Sequence, residues 1–146
     1  MIGLAGAGNA RAASVGELKR ILIADDEAHV THIVGAKLRR AGFEVRVASD
    51  GEEALREAME SPPDLVITDL QMPYLSGFEV ALRLRKEERT AGVPILLLTA
   101  RGYVLDPAEL ALTNIRHVMA KPFSALALLE TVERTLGAEG MERRAA

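Results

Sequence analysis

The chain has 146 residues, 49% of them hydrophobic and 27% charged, with a formal net charge of −3. That length suits one domain burying roughly 68–70% of its unfolded surface, and the slight acidity gives no broad electrostatic reason to bind nucleic acid. The absence of cysteine excludes disulfides, thiolate catalysis and cysteine metal sites, and no stretch approaches the roughly 18–20 apolar residues of a membrane span.

Residues 1–16 are rich in small side chains and lack the apolar core of a signal peptide. Gly3, Gly6 and Gly8 are in the wrong order for a G-x-G-x-x-G loop, and no strand precedes them. A flexible N-terminal tail is expected, on a cytoplasmic protein with no membrane attachment.

From Leu18 the pattern becomes regular. Arg20 to Ala24 reads as a strand, and Ala28 to Arg40 carries Val30, Ile33, Val34 and Leu38 at helical spacing until Gly42 stops it. Phe43 to Ala48 alternates as a half-buried strand, and Asp50 opens a helix with Ala54, Leu55 and Ala58 that Pro62-Pro63 ends. Asp64 to Asp69 is a buried strand, followed by a Pro/Gly loop to Gly77 and a helix to about Glu88. Pro94 to Thr99 is the most apolar strand. A short helix follows from Pro107, capped by Asp106, to about Leu112, then a strand from Ile115 to Met119. Ser124 to Leu136 reads as an amphipathic helix with Leu126, Leu129, Val132 and Leu136 inward, closed by Gly137.

The order is strand and helix five times over, which predicts a doubly wound α/β fold with a five-stranded parallel sheet covered on both faces. The expected organisation is a tail over residues 1–16, one domain over 17–137 and a flexible tail over 138–146.

In such a sheet, ligands bind beyond the carboxyl ends of the strands. The first strand delivers Asp25 and Asp26 there, the third Asp69, the fourth Thr99, and the fifth is followed by Lys121. Any one of these has a bland reading as a cap, a loop acid or a surface cation, but independent caps would not fall at the ends of four different strands. Crowded carboxylates must either take up protons or bind a cation, and an all-oxygen site without cysteine or clustered histidine suits Mg²⁺.

"ILIADDE", "DLVITDLQMPYLSG", "PILLLTA" and "MAKPFS" together resemble the receiver domain of bacterial two-component response regulators, in order and spacing, over roughly Leu18 to Leu136. The resemblance implies the flavodoxin-like receiver fold, with Asp69 as the nucleophile that takes a phosphoryl group from a phosphohistidine on a histidine kinase or phosphotransfer protein. It implies that Asp26, Asp69 and the backbone carbonyl of Gln71 ligate Mg²⁺, with Asp25 acting through metal-bound water. Lys121 would pair with the phosphoryl group and Thr99 would swing towards it. Pro73 and Gly77 match the turn after the nucleophile. The family usually has an aromatic three residues before the lysine, where this chain has Val118. His117 precedes it, and Asn114-Ile115-Arg116 replaces the usual Gly-Ala of that loop. Gln71 and Arg101, each two residues past a site residue, would border the path of hydrolytic water.

The expected function is a single-domain response regulator, a phosphoacceptor rather than an enzyme, signalling through contacts with an unidentified protein target and not through nucleic acid. Three other functions compete. A haloacid-dehalogenase-type phosphatase would need a second Asp two residues after the nucleophile, where Gln71 stands. A flavodoxin-like binder would need a loop free of the acids Asp25, Asp26 and Glu27, which repel phosphate without a metal. A phosphorylation-independent scaffold would have no use for the complete acid and lysine set. His29 and His32, three apart on the first helix, lack a third ligand and read as surface residues.

Overall fold

The computed structural model of the protein describes residues 18–145, with side chains to residue 137. The tail expected over residues 1–16 lies outside the described residues. Elements run β1 (Arg20–Ala24), α1 (Ala28–Arg40), β2 (Glu44–Ala48), α2 (Gly51–Glu60), β3 (Leu65–Asp69), α3 (Gly77–Lys86), β4 (Ile95–Ala100), α4 (Pro107–Leu110), β5 (Ile115–Lys121) and α5 (Ala125–Ala145). The five strands pair in parallel in the order β2-β1-β3-β4-β5, the doubly wound sheet that the alternation predicts.

Successive side chains of a strand point to opposite faces, so a strand covered on both sides must be apolar throughout. Ile21, Ile23, Leu65, Ile67, Leu96 and Leu98 face one layer, against Val34 and Leu38 of α1 and Leu128, Val132 and Leu136 of α5. Leu22, Ala24, Val66 and Ile95 enter the other, against Ala54 and Ala58 of α2 and Val80, Ala81 and Leu84 of α3. Truncating one such core side chain, as in Ile67→Ala, costs about 2–5 kcal/mol.

Helix boundaries follow local chemistry. Gly42, at φ 101°, ends α1 by donating to the Arg39 carbonyl while Phe43 donates to that of Leu38, the paired bonds of a Schellman turn. Asp50 caps α2 by accepting the Glu53 N–H, and Ser76 and Glu79 form a reciprocal capping box on α3. Asp106 caps the single turn of α4.

Three expectations need correction. Gly137 does not close the last helix, whose backbone continues to Ala145. A glycine inside a helix costs only about 1 kcal/mol relative to alanine, and its neighbours Leu136, Ala138 and Glu139 include good helix formers. The buried stripe of α5 runs through Leu128, Val132 and Leu136, spaced by four, which leaves Leu126 on the exposed side. In α1 the inward row is Thr31, Val34, Gly35 and Leu38, so Ile33 is 56% exposed.

Candidate functional site

The strand order reverses between β1 and β3, which opens a crevice beyond their carboxyl ends. Asp25 follows β1 directly. Its backbone N–H donates to the Ala48 carbonyl, extending the ladder, and the residue is only 1% exposed. A carboxylate so buried needs partners. Its Oδ1 accepts the Glu27 N–H at 2.9 Å and its Oδ2 accepts the Lys121 ammonium at 2.9 Å.

Lys121 is the last residue of β5, and its Nζ reaches back across the crevice. It also donates to Glu27 Oε1 at 2.8 Å and lies 3.5 Å from Asp69 Oδ2. The Lys121-Pro122 peptide that follows is cis. Carboxylate oxygens of Asp25, Glu27 and Asp69 lie within 4.8 Å of one another, the group among the described residues that could hold a metal ion.

The charges shape one another. Asp69 is pushed above the ordinary carboxylate value by burial first and by the Asp25 charge second, against the opposing pull of Lys121 and a hydrogen bond from the Gln71 backbone. Glu27 is held below its ordinary value by the hydrogen bond and charge of Lys121. For Lys121, burial works against the charged form, but the hydrogen bonds it donates to Glu27 and Asp25 and the charges of Asp25 and Asp69 outweigh it and raise the value. One ammonium against three carboxylates leaves two negative charges, the amount a divalent cation carries, and the donors are the hard oxygens that Mg²⁺ takes.

The loop after Asp69 is held from beneath. The Gly77 N–H donates to the Leu70 carbonyl at 2.8 Å, and a Cβ on Gly77 would meet the Asp69 carbonyl oxygen at 2.3 Å. Gly51, first residue of α2, donates to the Pro73 carbonyl, and a Cβ there would meet the Leu75 carbonyl oxygen at 2.1 Å. Between these anchors Tyr74, 75% exposed, adopts φ 72°, a conformation costly for a residue with a Cβ.

Of the residues singled out in the sequence, Asp25, Asp69 and Lys121 are brought together. Thr99 is buried at the end of β4, in register with Ala120 and one pair before Lys121. Asp26 is exposed, and its carboxylate lies outside the close group. Gln71 meets Asp69 through its backbone N–H, while its side chain is exposed. Glu27 had no assigned role in the sequence reading. Parity could have found it, because an extended exit from a strand puts alternate residues on the same side, Asp25 with Glu27 and Asp26 opposite.

Arg101 lines a groove of about 500 Å³ with Glu27, Lys121, Val30, Ile33 and Phe123. His29 also borders the groove, and both His29 and His32 are exposed on α1. On the far side of the sheet edge Val118 is exposed, and His117 is held below its ordinary value by burial and by the charges of Arg134 and Arg116.

Residues 21–133 match the family described as the response regulator receiver domain. Among solved structures the chain is similar to the chemotaxis response regulator CheY4 of Vibrio cholerae, at a TM-score of 0.74 and 32% identity, covering 80% of this chain and 98% of that one. It is also similar to the receiver domain of sensor histidine kinase PA1611 from Pseudomonas aeruginosa, which has a magnesium ion coordinated in its active-site cleft. There the TM-score is 0.73 and identity 28%, over 82% of this chain and 98% of that one. Among curated proteins, the DNA-binding dual master transcriptional regulator RpaA of Synechocystis is 37% identical over 119 residues, which are 82% of this chain and 49% of that protein. PhoP of Bacillus subtilis, the alkaline phosphatase synthesis regulator, is 40% identical over 106 residues, 73% of this chain and 43% of that one. The chain thus spans about half the length of these curated relatives.

Proposed function

The chain belongs to the response regulator receiver domain family, a family of two-component signalling domains rather than conventional enzymes, and on that premise we propose that Asp69 is its phosphoacceptor. The observation that carries this reading is the crevice itself, where a buried carboxylate with a raised pKa faces Asp25 and a lysine ammonium 3.5 Å away. The donor would be phosphohistidine on a histidine kinase or phosphotransfer protein. An Asp69 oxygen forms the new P–O bond as the P–N bond breaks, and that electron pair returns to the imidazole nitrogen.

Asp25, Asp26, Asp69 and the Gln71 carbonyl are the groups we assign to Mg²⁺, which when bound would offset the repulsion between carboxylate and phosphoryl oxygens. Lys121 takes one phosphoryl oxygen in a charge-assisted hydrogen bond, and the Thr99 hydroxyl, at the end of the neighbouring strand, takes another. Arg101, on the groove wall, shields the acyl phosphate from water. Residues 17–137 are the folded unit that carries this chemistry, and its compartment is the cytoplasm, as a chain free of cysteine permits.

Output passes through protein contacts on this reading. The curated relatives act on DNA or on transcription, but a net charge of −3 offers phosphate backbones little from this chain itself. A scaffold that never takes a phosphoryl group is the second reading. It would be favoured by partner binding that neither a phosphodonor nor Asp69→Asn changes.

Transfer from a phosphorylated histidine kinase tests the first reading. Borohydride reduction of the product followed by peptide mapping should place the acyl phosphate on Asp69. Label on any other residue, or none from any phosphohistidine donor, would overturn it.

A further inference from the structure

Glu27 occupies the N-cap position of α1, yet its side chain makes no capping bond and the first turn of that helix carries no acid. Its carboxylate is committed to Lys121, at 2.8 Å, while the same ammonium stands 3.5 Å from Asp69. The ammonium therefore makes its short hydrogen bonds to Asp25 and Glu27 and stands farther from the proposed acceptor. Asp25 is buried, so its bond to Lys121 has no cheap replacement. The Glu27 side chain is 49% exposed and borders the open groove, so it can exchange Lys121 for water or for the unsatisfied N–H groups of the α1 first turn.

We propose that Glu27 is a latch on Lys121: it holds the ammonium in the unphosphorylated protein and must release it when a phosphoryl group arrives on Asp69. The inference rests on Asp69 being the acceptor. Glu27 is a positioning residue in this account, acting through Lys121 and not on phosphorus. An incoming phosphoryl oxygen competes with the Glu27 carboxylate for one donor, and the release of that carboxylate to the start of α1 couples the site to the helix bordering the groove. The same release would make Glu27 a brake on phosphoryl uptake, whereas a carboxylate that merely steadied Lys121 would speed uptake.

Two substitutions separate reach from charge. Glu27→Gln removes the charge, and Glu27→Asp keeps it on a side chain one methylene too short to hold Lys121. With Mg²⁺ saturating and acetyl phosphate as donor, both should take up phosphate faster than wild type, by about two- to fivefold, the size of an ion pair open to solvent on one side. Calorimetry should find the Mg²⁺ affinity of Glu27→Asp, which keeps the charge, equal to wild type, and beryllofluoride with Mg²⁺ should bind both variants more tightly.

Acceleration in Glu27→Gln alone would make the effect one of charge, not of a latch, and uptake equal to or slower than wild type in both variants would make Glu27 a structural support. A loss of Mg²⁺ affinity in Glu27→Asp, which keeps the charge, would make it a metal ligand. Each of these outcomes overturns the proposal. Absence of uptake in wild type, from acetyl phosphate and from a phosphorylated kinase alike, would instead remove the acceptor reading on which it rests.

Discussion

Beside the β1 and β3 ends, Asp25 is 1% exposed and Lys121 is bound to two carboxylates, whereas around α4 Val104 is 86% exposed and Leu112 62%. The first region is built from central strands whose ends are fixed by ladder bonds on both sides. The second rests on a helix of one turn and on the edge strand β5, whose pairing with β4 shifts register between Ile95 and Leu96. Chemistry needs side chains held within a few tenths of an ångström, and the buried strand ends supply that. Thin cover over apolar side chains, as around α4, lets elements repack at lower cost instead.

The sharpest way to break this contrast is at the acceptor. Asp69→Asn should abolish phosphoryl uptake while leaving the circular dichroism spectrum unchanged, because it removes the nucleophile and not a core side chain. Lys121→Ala should slow uptake strongly and destabilise the fold by about 1–3 kcal/mol in chemical denaturation, since buried Asp25 loses its charged partner. Added Mg²⁺ should recover part of that stability.

Next in size is Gly77→Ala, whose Cβ would collide with the Asp69 carbonyl. Forcing the loop aside should cost about 1–3 kcal/mol and slow uptake together, whereas a thermal melt and uptake rate equal to wild type would show that the loop is not anchored there.

Acidity probes the same region more gently. Because the Asp69 value is raised, its carboxylate is protonated at higher pH than an ordinary aspartate, so its carboxyl carbon resonance in the metal-free protein should titrate with a midpoint above the ordinary value of about 3.9. Lys121 has the opposite consequence at the alkaline end. A raised folded value means that its contribution to stability is complete below about 10.4 and is lost as pH rises through the folded value. The smallest expected effect is Tyr74→Gly, which relieves a positive φ and should stabilise the fold by about 0.5–1 kcal/mol.

The parts of this molecule most legible in sequence are those where one physical demand dominates. β1 runs from Arg20 to Ala24 as read, because a strand buried on both faces has to be apolar from end to end. Asp50 and Asp106 announce helix starts through short side chains that compete for backbone N–H groups. What stayed hidden depends on rotation about a helix axis or on contacts distant in sequence. Leu126 and Leu128 are equally apolar, and only packing on β1 and β3 decides that Leu128 goes inside. Asp25, Asp69 and Lys121 were legible as strand-end residues, but that Lys121 would choose Glu27 over Asp69 depends on tenths of an ångström across the crevice.

The most direct measurement of the central claim is the intact mass of wild type and Asp69→Asn after incubation with acetyl phosphate, with and without Mg²⁺. One phosphoryl adduct on wild type that needs Mg²⁺ and is missing from Asp69→Asn is the predicted result. An adduct of equal yield on the variant, or one indifferent to Mg²⁺, would contradict the assignment of Asp69 and of the acidic crevice around it.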